Sequence, residues 1–138
     1  MRSARQARAT PAIAALVASG IWHRVYEYDH DSTTANYGRE AVEKLQVADM
    51  LNFKRLSTAL GVRSVRMADA AIAQRKTGYV LGGISPLGQK TGLPTVFDDS
   101  VARHDTVWVS GGRRGLSLEL QVADLVHLTQ ATVAHIRR

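Results

Sequence analysis

TVWVSGGRRGLSLELQVADLVHL, Thr106 to Leu128, is the stretch that decides the fold. Thr106 to Val109 and Leu116 to Leu120 read as strands, because β-branched, aromatic and leucine residues suit a pleated, half-buried surface. SGGRRG between them, Ser110 to Gly115, is a tight turn. Ala123 to Leu128 reads as a helix. Upstream, Leu93 to Phe97 is a further strand, and Gly78 to Gln89, GYVLGGISPLGQ, is a glycine-rich loop. Asp69 can cap a helix running to about Lys76, and Ser64 to Met67 is a short strand. From Arg39 to Leu60 there is no glycine or proline. Val42, Leu45, Ala48, Leu51, Leu56 and Leu60 recur at helical steps, which predicts one long amphipathic helix closed by Gly61. DHDSTTANYG, Asp29 to Gly38, is a loop. Trp22 to Tyr28 alternates apolar and polar residues as a strand does. Thr10 as N-cap, Pro11 at the first helical position and Gly20 at the end define a helix to Ser19. The expected class is α/β (α+β), with helices flanking a mixed, partly barrel-like sheet.

The 138 residues predict a single domain, 1–138, large enough to bury a core without staples. There is no cysteine, which excludes a disulfide framework, a thiolate metal site and a cysteine nucleophile, and fits a reducing cytoplasm. No apolar run approaches the roughly 18 residues of a membrane span, so no membrane partner is expected. The basic N-terminus followed by a short apolar stretch imitates a secretory signal, but the capped Thr10-Pro11 start makes it the first helix of the domain. The formal net charge is +6. Such a surface attracts polyanions; on charge alone, a DNA-binding protein is also open.

Two segments could hold a ligand. In GYVLGGISPLGQ, glycines at positions 78, 82, 83 and 88 let the backbone approach a ligand, and successive N–H groups can form a nest for an anion or a carbonyl. The alternative is a plain hairpin; neither a Walker loop nor a GxGxxG pattern is present. SGGRRG adds a second nest, the Ser110 hydroxyl, and Arg113 with Arg114 for phosphate, or else a solvated turn. The histidines at 23, 30, 104, 127 and 135 lack paired spacing, so no metal is expected. Asp29, His30 and Asp31 read either as a base or ligand set or as a strand end capping a turn, and Asp98 with Asp99 reads the same way. Trp22 and Trp108 fall within strand patterns and are expected in the core.

TPAIAAL, YDHD (28–31), NYG (36–38), MADAAIAQRKTGYVLGGISPLGQKTGLPTVFDDS and TVWVSGGRRGLSLELQVADL together resemble the YbaK/EbsC family of aminoacyl-tRNA deacylases, relatives of the editing domain of prolyl-tRNA synthetases. The resemblance runs along nearly the whole chain. It implies clearance of mischarged tRNA, most directly Cys-tRNA(Pro), by substrate-assisted cleavage of the aminoacyl ester, with no cofactor. By the same resemblance Gly82 and Gly83 are the catalytic loop positions. Tyr28, Ser85, Pro86, Ser110, Gly111 and Ser117 line the substrate site, and Arg113 and Arg114 face the tRNA. The implied partners are mischarged tRNA and a prolyl-tRNA synthetase.

Two departures stand out. Where the family carries an acidic residue after GGRRG, this chain has Ser117; Glu119 follows on the same face of the strand by alternation. Around Val47 and Ala48 the family's lysine-bearing segment is missing, roughly two strands of about 5–6 residues. Lys44 and Lys54 flank that gap and do not match the lysine. The long helix predicted above is then two family helices joined end to end. A catalytically impaired module that holds tRNA or a synthetase is the second reading.

Overall fold

The computed structural model describes residues 9–28 and 51–138. The Asp29–His30–Asp31 cluster, the NYG sequence, Lys44 and the junction at Val47 and Ala48 lie outside the described residues.

Helix α1, Pro11–Ser19, begins where the Thr10 hydroxyl accepts the Ile13 N–H at 3.2 Å and ends at Gly20 in the left-handed region. It buries Ala12, Ile13 and Leu16. Strand β1, His23–Glu27, follows directly. Helix α2, Phe53–Leu60, is capped by the Asn52 side chain, and α3, Ala70–Thr77, by Asp69, whose carboxylate accepts the Ala71 and Ile72 N–H groups. Strand β2, Val96–Asp98, leads into a short 3₁₀ helix, Asp99–Arg103. Strands β3, Thr106–Ser110, and β4, Leu116–Gln121, flank the SGGRRG turn. Helix α4, Val122–Thr129, and strand β5, Thr132–Ala134, complete the described order.

Strand β4 is central to an antiparallel sheet of order β1-β4-β3, and β2 pairs in parallel with β5 in a second sheet. The described strands thus form a mixed α/β arrangement of two open sheets, without a closed barrel. Leu116, Leu118 and Leu120 project from one face of β4 and are at most 1% exposed. They meet Ile13 and Leu16 of α1, Leu125 of α4, and Tyr79 and Leu87 of the glycine-rich loop in one core. Each such leucine contributes about 2 kcal/mol of burial.

The second sheet is closed by Asp98. Its carboxylate caps the 3₁₀ helix by accepting the Ser100 N–H, and it also accepts the Ile136 and Arg137 N–H groups at 2.9 and 3.0 Å. The Arg137 guanidinium reaches its other oxygen at 3.1 Å. Burial opposes the charge on Asp98, yet the hydrogen bonds from Ser100, Ile136 and Arg137 together outweigh it and hold the carboxyl far below the usual carboxylate range. The same C-terminal segment accepts the Asn52 N–H at Ile136 O and an Arg55 N–H at Arg137 O, which ties α2 to this sheet.

Four expectations are corrected. The helix from Arg39 to Leu60 is not continuous: Leu51 bridges to Arg137 in extended form and Asn52 is an extended N-cap, so α2 starts at Phe53. Ser64–Met67 forms no strand, for among the described residues none pairs with it. The strand expected from Leu93 starts at Val96, after Pro94, which offers no N–H to a ladder. Trp22 and Trp108 are 47% and 39% exposed rather than in the core. In β3, alternation turns Val107 and Val109 to the core and Trp108 to the opposite face.

Candidate functional site

The glycine-rich loop and the SGGRRG turn meet at one end of the three-stranded sheet, against the N-terminus of α1. Within the loop, the Gly83 N–H donates to Val80 O at 2.9 Å, with Gly82 at φ 84° in the third position of that turn. Only a residue free of Cβ strain sits easily there. Gly83 lies directly on the turn: a Cβ at this position would stand 2.6 Å from Arg113 Cα. The Arg114 Nε donates to Leu81 O at 2.8 Å and fastens the same junction. Gly88 packs equally closely on α1, where a Cβ would stand 2.6 Å from Pro11 O.

Two buried hydroxyls lock the assembly from inside. Thr10 donates to Gly111 O. Tyr79, 4% exposed, donates to Leu87 O at 2.5 Å and accepts from the Ala12 backbone. Burial raises the Tyr79 phenol above its ordinary value, against the Ala12 hydrogen bond. The turn itself closes through Gly111 N–H to Leu116 O at 2.8 Å and Gly112 N–H to the Ser110 hydroxyl at 3.2 Å.

The residues expected from the sequence fall into four groups. Gly82 is exposed at the loop surface, and Pro86 is half-buried. Ser110 and Ser117 pair across β3 and β4 in register, with Tyr26 on the other side of Ser117. Tyr28 follows at the end of β1, half-buried, its N–H on Gly115 O at 2.9 Å. These residues share the face of the sheet opposite the core. Ser117 is nonetheless buried, as are Ser85, Gly83 and Gly111. The Ser85 hydroxyl accepts the Leu87 N–H at 3.2 Å and its carbonyl accepts from Gln89, so Ser85 shapes the loop from within. Arg113 stands 3.5 Å from the Glu27 carboxylate, and Arg114 holds the loop, so both expected tRNA contacts also fasten the site.

Glu119 lies two residues beyond Ser117 on the same face. Its carboxylate accepts from the Thr106 hydroxyl at 2.7 Å and the Tyr26 hydroxyl at 2.8 Å. Those hydroxyls, with smaller help from Arg24 and the Trp108 indole, outweigh burial and lower its pKa. Glu119 is therefore held ionised and engaged, unlike a free general base. Sequence reasoning missed Thr10 and Tyr79 as the internal locks. The signal available was a cap residue and an aromatic bordering two glycine segments, which without the tertiary contact reads as ordinary packing. Asp98, Asp99 and His135 bring potential ligand atoms within 4.8 Å of one another. The Asp98 oxygens are already occupied by Ser100, Ile136 and Arg137, consistent with a strand-ending cap.

The described residues thus form an α/β domain with a glycine-rich loop and an arginine-bearing turn packed together at one sheet end. Residues 45–128 match the aminoacyl-tRNA editing domain, and the chain belongs to that family. It is 34% identical over 86 residues to EbsC of Enterococcus faecalis (strain ATCC 700802 / V583), a protein named as a candidate Cys-tRNA(Pro)/Cys-tRNA(Cys) deacylase. That match takes in 62% of this chain and spans about half, 52%, of the relative's length. Among solved structures, a candidate trans-editing enzyme for prolyl-tRNA synthetase superposes with a TM-score of 0.75 at 21% identity, over 93% of this chain and 95% of the other. A hypothetical protein superposes with a TM-score of 0.76 at 22% identity, over 94% of this chain and 100% of the other. Both share the fold.

Proposed function

We propose that this protein is a trans-editing aminoacyl-tRNA deacylase, acting on mischarged tRNA and in the first place on Cys-tRNA(Pro). The observation that carries the reading is the packed pair of loops, GYVLGGISPLGQ on SGGRRG, within a chain of the editing family. Gly82 is exposed at positive φ, a position where backbone can approach an aminoacyl ester closely. Ser110 and Tyr28 border the same end of the sheet and supply hydroxyls for orientation. In the reaction, the substrate's own cysteine thiol attacks its ester carbonyl. The new S–C bond replaces the C–O bond, the thiol proton passes to the ribose oxygen, and a thiolactone leaves with free tRNA. The protein contributes orientation of the thiol against the carbonyl and stabilisation of the oxyanion. No titrating base is required of the chain for this route. Prolyl-tRNA synthetase is the natural partner for supplying the substrate, and a cytoplasmic site fits it.

The test is release of free tRNA from Cys-tRNA(Pro), with Pro-tRNA(Pro) as control. Rapid release from the first and none from the second is expected. Equal, negligible release from both, with tRNA binding kept, would instead favour the module impaired by loss of the lysine segment near Val47 and Ala48. A DNA duplex bound more tightly than tRNA at matched salt would sink both readings.

A further inference from the structure

We propose that the outer face of the β1-β4-β3 sheet is a stacking platform for the unpaired bases at the 3′ end of the tRNA substrate. The proposal rests on the deacylase reading above. The chain has two tryptophans, and both lie open to water on or beside this face, Trp22 at 47% and Trp108 at 39% exposure. The Tyr26 and Trp108 rings stack at 4.8 Å with 28° between their planes. The Arg24 guanidinium carbon lies 5.4 Å from the Trp22 ring centroid. A cross-strand aromatic pair by itself is ordinary sheet stabilisation.

Three further features go beyond that. First, the pair is held: the Tyr26 ring stacks on Trp108, and the Glu119 carboxylate between their strands accepts from the Tyr26 and Thr106 hydroxyls. Rings already held in place lose little freedom when a base stacks on them. Second, the surrounding charge suits a polyanion. The chain carries +6 overall, exposed Arg24 lies on this face, and the Glu119 charge is answered by Arg24 and the hydroxyls around it. Third, the platform is continuous with the proposed aminoacyl site. Arg24, Glu119 and Trp108 pair across the three strands, and Tyr26 and Ser117 lie two positions along, with Ser110, a step of about 7 Å. An aminoacyl group near Ser110 and Tyr28 would be esterified to a terminal nucleotide whose unpaired neighbours pass over these rings. Unpaired bases are held in this way, on aromatic faces and guanidinium planes, by many single-strand binders.

Tryptophan emission reads the platform directly, because no tryptophan lies elsewhere in the chain. The full chain is titrated with a short uncharged single-stranded RNA ending in CCA, and with a blunt RNA duplex of equal length. Quenching by the single strand and little by the duplex is expected. Trp108→Ala and Trp22→Ala should each weaken single-strand binding on the order of tenfold. Trp22 precedes the strand, so Trp22→Ala should keep the wild-type melting temperature and remains informative if Trp108→Ala unfolds. With charged tRNA, Trp22→Ala should raise KM and leave kcat unchanged. Absent quenching, equal quenching by the duplex, or unaltered binding by Trp22→Ala overturns the platform. Unaltered RNA binding with lost association to prolyl-tRNA synthetase would reassign the face to a protein partner and equally overturn it. Quenching without any hydrolysis of Cys-tRNA(Pro) would sink the deacylase reading and keep the base platform. Hydrolysis with KM unmoved in Trp22→Ala would do the reverse.

Discussion

The two ends of this domain are held by different physics. At the loop end, the glycine-rich loop, the SGGRRG turn and α1 are joined by close backbone packing and by the buried hydroxyls of Thr10 and Tyr79. At the other end, β2, β5 and the C-terminal segment are gathered around one ionised carboxylate, Asp98. The first junction rests chiefly on shape, with one ion pair, Arg113 to Glu27, at its edge. A junction built on charge depends on protonation.

The contrast can be broken from either side. The largest effect is expected from Gly83→Val, whose Cβ would press on the Arg113 backbone at 2.6 Å. A loss of about 3 kcal/mol is predicted, read as a shift in the denaturant midpoint. It should be insensitive to pH and accompanied by loss of deacylation. Next, Asp98→Asn should cost about 2 kcal/mol near neutral pH, since hydrogen bonds to a charged group are replaced by weaker ones. Asp98 has a depressed value in the folded state. Its contribution is therefore complete above the ordinary carboxylate value of about 4 and is lost as pH falls through its folded value. Denaturant titrations in the acid range should show a steep decline for the parent protein and a shallower one for Asp98→Asn. Deacylation, assayed where the variant is folded, should change little.

Smaller still, Thr10→Val removes the α1 cap and the bond to Gly111 O, for about 1 kcal/mol. Calorimetric melting would measure it. The least effect at neutral pH should come from raising pH on the parent. Tyr79 is raised by burial, so its neutral phenol supports the fold below the ordinary phenol value of about 10, and that support fades as pH rises toward the folded value. Tyr79→Phe should lose this alkaline limb in urea titrations. An alkaline decline of equal size in Tyr79→Phe would mean that another group titrates there.

Much of the fold was readable locally. Thr10, Pro11 and Gly20 mark both ends of α1, Asp69 marks the start of α3, and the hairpin Thr106–Gln121 follows from its strand residues and glycine turn. Asn52 also caps α2, but its signal was hidden inside an unbroken helical pattern. The parallel pairing of Val96–Asp98 with Thr132–Ala134 joins segments too short to be distinctive. For the site, the two glycine segments were legible as candidates. The burial of Ser85, the locking of Arg114 on Leu81 and the engagement of Glu119 were not, because each depends on a partner distant in sequence.

The sequence by itself determined both ends of α1 and the start of α3, which face of β4 is apolar, and that GYVLGGISPLGQ and SGGRRG belong to an editing-type domain. Those features rest on interactions within a few residues or on a shared pattern. Only the tertiary structure decided that the two glycine segments pack on each other and on Pro11, that both tryptophans face water, and that Asp98 draws the C-terminal segment to β2. These outcomes depend on which surfaces meet once the chain has collapsed. A glycine shows that close approach is permitted; it does not show what approaches.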